Sequence, residues 1–165
     1  MPPVLHQETA DHSGDGGGHR TSSRSSVAVR QWGRRWGLPM VDIIHQIAHW
    51  RDGAREEWQV ATELPEKGRV RQALFFTHLA LEKALKAHVC RHTGDLAPRT
   101  DNLVRLAEIA GLKVSPEHTD VLADTNEFVL TGRYPDTAFS APSLGDAEAH
   151  QRKAQEVFQW LIQQL

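Results

Sequence analysis

The chain has 165 residues, 39% hydrophobic and 24% charged, which suits one soluble globular domain. A formal net charge of -2 gives no global field to draw in nucleic acid. Cys90 is the single cysteine, so an intramolecular disulfide and a cysteine-based zinc site are excluded, and a reducing, cytoplasmic setting is expected. No apolar run approaches the ~18 residues of a membrane span, so no membrane partner is expected.

Residues 1–38 differ in composition from the rest of the chain. The run HSGDGGGHRTSSRSS is rich in Gly and Ser and almost free of large apolar residues, which predicts a disordered tail. RQWGRRWG then sets two tryptophans among arginines. The absence of an apolar stretch before Gly37 argues against a secretory signal, and the acidic residues argue against an organelle transit peptide. Met40, immediately before the first periodic segment, is a candidate initiator. The domain is therefore expected over residues 40–165.

From Met40 the pattern is helical. Ile43, Ile44, Ile47, Trp50, Ala54, Trp58 and Ala61 recur at three- and four-residue steps. LPEKG, through Pro65 and Gly68, closes that helix. A second helix is predicted from about Arg69 to His92, stopped by Gly94. Thr100 or Asp101 is placed to cap a short third helix that ends at Gly111. Ser115 before Pro116 is an N-cap with proline at the first helical position, and it opens a fourth helix to about Leu130. After the loop TGRYPDTAFSAPSLGD, Ser143 and Asp146 form a capping-box pattern. The last helix aligns Ala154, Val157, Phe158, Leu161 and Leu165. No segment alternates with period two. The expectation is all-α, an up-and-down bundle of about five helices.

The second helix raises the functional question. Arg71, His78, Glu82 and Val89 share one face, flanked by Phe75 and Leu85, while Leu74, Phe76, Leu79, Leu81, Ala84 and Ala87 cover other faces. A helix so apolar belongs at the bundle centre, so its polar stripe meets another helix, a second subunit or a cleft. His78 with Glu82, and Glu82 with Lys86, are four apart and in reach of each other. In one reading these are intrahelical pairs plus a buried histidine. In another, Arg71 and His78 serve metal-free RNA cleavage, with histidine as acid or base and arginine neutralising the phosphate.

ALFFTHLALEKALKAHV (73–89), APRTDNLVRLAE (97–108), TGRYPD (131–136) and a long final helix together resemble the HEPN family over about Met40 to Leu165. The resemblance implies a bundle of four to five helices that usually dimerises. It also implies an accompanying minimal nucleotidyltransferase in a toxin–antitoxin pair, and many members are ribonucleases. Their ribonuclease motif is an arginine, four to six residues, then a histidine, on a later helix. Here Arg133 is followed by no histidine until His150, so the motif is missing from its place. Arg71 to His78 matches it by count but lies on the wrong helix. Where relatives read Thr-His-Asp-Leu or Thr-His-Asn-Leu, this chain reads Thr100-Asp101-Asn102-Leu103.

RYPD remains. Arg133 suits a bidentate hold on phosphate, Tyr134 stacking or a hydroxyl donor, and Asp136 the orientation of Arg133. The competing reading is a structural corner. Lys83 and Lys86 would add positive charge. His45 and His49 are four apart, but HQIAH lacks the glutamate of a zinc protease, and His88 and His92 share a face that excludes Cys90. Neither group is read as a metal site, and no cofactor is expected. The functional expectation is a nucleotide- or RNA-binding interaction module. Its alternatives are a metal-independent endoribonuclease toxin and a structural dimer without ligand.

Overall fold

The computed structural model describes residues 42–133 and 142–165, apart from the side chains of 130–133. Among these residues five α-helices follow one another: α1 (Ile43–Glu63), α2 (Val70–Thr93), α3 (Leu103–Ile109), α4 (Pro116–Arg133) and α5 (Leu144–Gln163). Among the described residues there is no strand. The all-α bundle expected from periodicity is what forms. The tail 1–38, Met40, Tyr134 and Asp136 lie outside the described residues, as does the side chain of Arg133.

Each helix begins and ends for a local reason. Asp42 accepts a hydrogen bond from the His45 N–H at 3.1 Å and opens α1. A 3-10 turn, Pro65–Lys67, closes it, and Gly68 at φ 70° lets its N–H reach the Pro65 carbonyl. Ser115 caps α4 through the His118 N–H, with Pro116 at the first helical position. At α5, Ser143 accepts from the Asp146 N–H and donates its hydroxyl to the Asp146 carboxylate at 2.6 Å.

α3 starts one residue later than the sequence suggests. Asn102, not Thr100 or Asp101, receives the Arg105 N–H at 3.0 Å, while Thr100 accepts the Asn102 N–H. Asn102 stands immediately before the first helical residue, so its side chain reaches the third helical N–H, which Thr100 and Asp101 are set too far back to meet.

α2 is central and packs against all four other helices. Leu81, Leu85 and Val89 share one core with Leu103 and Leu106 of α3, Leu122 of α4, and Val157 and Leu161 of α5. Each buried aliphatic side chain is worth about 1.5–3 kcal/mol relative to exposure. Ala54, Ala61, Ala80, Ala84 and Ala87 are fully buried, and their small side chains let neighbouring helices approach closely.

Two apolar residues of the sequence pattern face outward. Ile44 is 82% exposed. A helix of 3.6 residues per turn puts it on the side of Arg51 and Arg55, not with Ile43, Ile47 and Trp50. Phe75 is 41% exposed, so α2 keeps an uncovered strip despite its central place.

Candidate functional site

In the polar stripe of α2, Glu82 pairs with Lys86 and stands beside His78, while Arg71 is exposed. His78 is buried, with its Nδ1 3.8 Å from a Glu82 carboxylate oxygen, beyond hydrogen-bond length. Burial pushes the imidazole below the usual histidine value. Glu82, the Asp101 carboxylate, the Asp101 backbone and the Asn126 side chain pull the other way without cancelling it. The turn before α3 thus folds over His78. Asn126 on α4 fastens that turn: its Oδ1 accepts the Leu103 N–H at 3.0 Å, and its Nδ2 lies 3.4 Å from Asn102 Oδ1.

Both lysines of the stripe are spoken for. Lys86 bonds Glu82 at 2.6 Å and lies 5.1 Å from the Trp50 ring centroid, a cation–π distance. The Trp50 indole N–H is buried and turned toward the Cys90 thiol, a weak acceptor, and meets no nitrogen or oxygen acceptor among the described residues. Lys83 crosses α1 at Gly53 and bonds Glu57 at 2.5 Å. A Cβ at Gly53 would sit 3.3 Å from the Lys83 Cδ and Nζ, so glycine makes room for the crossing.

Arg71 is exposed in the first turns of α2 and forms no ion pair among the described residues. It stands about 10 Å along the axis from His78. One opens to solvent and the other lies under the Asp101 turn, so they do not meet on an open cleft. Described residues line two surface cavities of note. One, of about 240 Å³, lies between α1 and α5, and one, of about 200 Å³, between α3 and α4. Neither is lined by Arg71, His78, Lys83 or Lys86.

α5 runs parallel to α2, since Gln151 meets Thr77 and Leu161 meets His88, and α4 runs antiparallel to α5, since Thr125 meets His150 and His118 meets Trp160, so α4 is antiparallel to α2. An equal helical rise in both directions carries the α4 C-terminus toward the level of Arg71. The backbone of Arg133, the last residue of α4, therefore lies toward the α2 N-terminal end of the bundle.

Sequence reasoning missed two buried polar centres. His150 on α5 donates its Nε2–H to Thr125 Oγ1 at 2.8 Å, and that hydroxyl in turn donates to the Val121 carbonyl at 2.6 Å. His88 donates Nε2–H to the Leu161 carbonyl at 2.9 Å. Its bare Nδ1 accepts from Arg91, which also bonds the Gln164 carbonyl. These two residues tie down the final turn of α5, and the Arg91 guanidinium sets positive charge where its carbonyls are unpaired. Burial lowers the pKa of both histidines. The Leu161 carbonyl opposes this at His88 while Arg91 adds to it; at His150, Asp124 opposes it and Lys153 adds. A signal existed at Asn126 and Thr125, polar residues in mid-helix between Leu122 and Val129.

The remaining candidates are scattered. His45 and His49 are exposed on α1, and Cys90 is buried, its thiol pushed up by burial. No helix among the described residues is long and apolar enough to cross a membrane.

Comparison with known proteins gives one family. The family model described as the HEPN domain matches residues 47–165. A solved crystal structure of an archaeal HEPN homologue superposes with a TM-score of 0.57 at 20% identity, covering 72% of this chain and 96% of that one. That likeness is one of fold. No curated protein matches.

Proposed function

Because the chain belongs to the HEPN domain family, we propose that it is a nucleotide- or RNA-binding interaction module. In this reading it is a cytoplasmic homodimer and one half of a toxin–antitoxin-type pair with a minimal nucleotidyltransferase. Arg133, Tyr134 and Asp136 form the ligand contact: the guanidinium holds a phosphate, the phenol stacks on a base, and the carboxylate orients the guanidinium. Lys83 and Lys86 are each neutralised by a glutamate, so Arg133 carries the binding.

The observation that favours a module over a nuclease is the burial of His78. An endoribonuclease using Arg71 and His78 needs both side chains on one phosphate. His78 is 4% exposed and its neighbours are Glu82, Asp101 and Asn126. A general acid or base so enclosed has no path to a ribose hydroxyl. The dimer draws support from Phe75 and Val60, exposed large apolar side chains on α2 and α1. Among the tryptophans, Trp58 stacks on Phe158 and Trp160 packs beside His118, so they are engaged within the chain.

Arg133→Lys tests the site. It keeps the charge and removes the bidentate fork. Titration with ATP and with a short single-stranded RNA should show weakened binding while the thermal melt stays in place. A lowered melt, with binding lost only through unfolding, identifies a structural corner instead.

A further inference from the structure

The cavity between the end of α1, the Pro65–Lys67 turn and α5 has no part in nucleotide or RNA binding through Arg133. Its walls are fixed by their own packing. Trp58 is held by Phe158, ring centroids 4.5 Å apart and planes 10° from parallel, and Pro65 is buried beside it. Gln151 donates through Nε2 to the Ala61 carbonyl at 2.9 Å and to Thr77 Oγ1 at 3.2 Å. Both amide hydrogens face the protein, which leaves Oε1 as an acceptor on the cavity side. Glu66 and Glu148 stand on the rim, with no hydrogen bond or ion pair to their side chains among the described residues. Arg152 is the one basic residue of the lining.

Size and charge together choose the ligand. About 240 Å³ falls below the range of about 300–1,000 Å³ typical of small-molecule pockets, so one side chain fits and a nucleotide does not. Two carboxylates against one guanidinium leave the lining net negative, which repels phosphate. An aromatic wall, a fixed amide acceptor and two free carboxylates suit a flat cation rich in donors. Arginine presents five N–H groups in a plane and stacks on aromatic rings.

We infer that this cavity is a docking subsite for an arginine side chain of a partner polypeptide. The guanidinium lies against Trp58, donates to Gln151 Oε1, and is flanked by Glu66 and Glu148. The site is opposite in charge preference to the anion contact proposed at Arg133, so a cationic side chain here does not compete for that contact.

The test is a nuclear magnetic resonance titration of the isotope-labelled full chain with N-acetyl-arginine amide. N-acetyl-citrulline amide, the same shape without the charge, is the control. The indole N–H signal of Trp58, assigned with Trp58→Phe, and the side-chain amide of Gln151 should shift with millimolar affinity. The citrulline compound should bind about tenfold more weakly, and Glu66→Gln with Glu148→Gln should weaken arginine binding about fivefold at unchanged melting temperature. Absence of shifts at those two signals, equal binding of citrulline, or unchanged affinity in a folded double variant overturns the inference. Should the double variant not fold, the comparison of the two compounds on the unaltered chain still decides.

Discussion

Acidification from pH 7.5 to 5.5 should lower the stability of this bundle. His78, His88 and His150 are 4%, 1% and 7% exposed, and burial is the leading cause that holds each below the ordinary histidine value of 6.5. Above pH 6.5 these imidazoles are neutral in both the folded and the unfolded chain, and stability is full. Below it, the unfolded chain binds a proton at each site while the folded chain resists. Stability therefore falls as pH drops through 6.5, and goes on falling until the folded values are passed. At one unit below 6.5 the linkage sets an upper bound of about 1.4 kcal/mol per histidine, or about 4 kcal/mol for three, met in full only where the folded group stays neutral. Typical domains have about 5–15 kcal/mol in total. The window lies above the carboxylate range, so aspartates and glutamates contribute little to it. Urea unfolding followed by circular dichroism at pH 7.5, 6.5 and 5.5 measures the effect. His88→Gln, which keeps a donor for the Leu161 carbonyl, should remove about a third of the dependence. A change below about 0.5 kcal/mol between pH 7.5 and 5.5, the scatter of an ordinary surface substitution, would refute the reasoning.

Glu82→Ala strands Lys86 and leaves His78 without its carboxylate neighbour, and should destabilise by about 1–3 kcal/mol in denaturant melts. Gly111→Ala should be worse than Gly68→Ala although both glycines have positive φ. A Cβ at 111 would lie 2.8 Å from the His92 ring, whereas the space at 68 is open. The shared backbone strain is worth about 1 kcal/mol, and the difference between the two thermal melts reads the clash. Light scattering at tens of micromolar should give a dimer, and Phe75→Glu should shift it toward monomer without loss of helicity; a strict monomer from the unaltered chain contradicts the dimer.

The helices were legible because their signals are local. Proline and glycine punctuate the chain at 65, 68, 94, 111 and 116, and Ser115 and Ser143 cap as their neighbours suggest. The errors are also local: Asn102, nearer the helix start than Thr100 or Asp101, takes the cap, and Ile44 turns with Arg51 and Arg55. The pairing of Glu82 with Lys86 follows from four-residue spacing alone. What sequence could not give is contact between helices. Nothing in the spacing of His78 places it beneath Asp101 and beside Asn126, 23 and 48 positions away. Lys83 reads as a free cation until α1 brings Glu57 to it, and Gly53 reads as a weak point until Lys83 lies across it. His88 shares its helical face with His92, yet one serves the end of α5 and the other rests on Gly111. The cavity at Trp58 is assembled from three separate segments, so no motif could have announced it.

Binding without cleavage is the core of the proposed function. The most direct measurement is a titration of the full chain with a labelled single-stranded RNA, by fluorescence anisotropy, with gel electrophoresis of the same samples. Saturable binding is expected, weakened by Arg133→Lys, with the RNA intact after long incubation in the presence or absence of a metal chelator. RNA cleaved in a chelator-independent reaction that His78→Ala abolishes in a folded protein would contradict it.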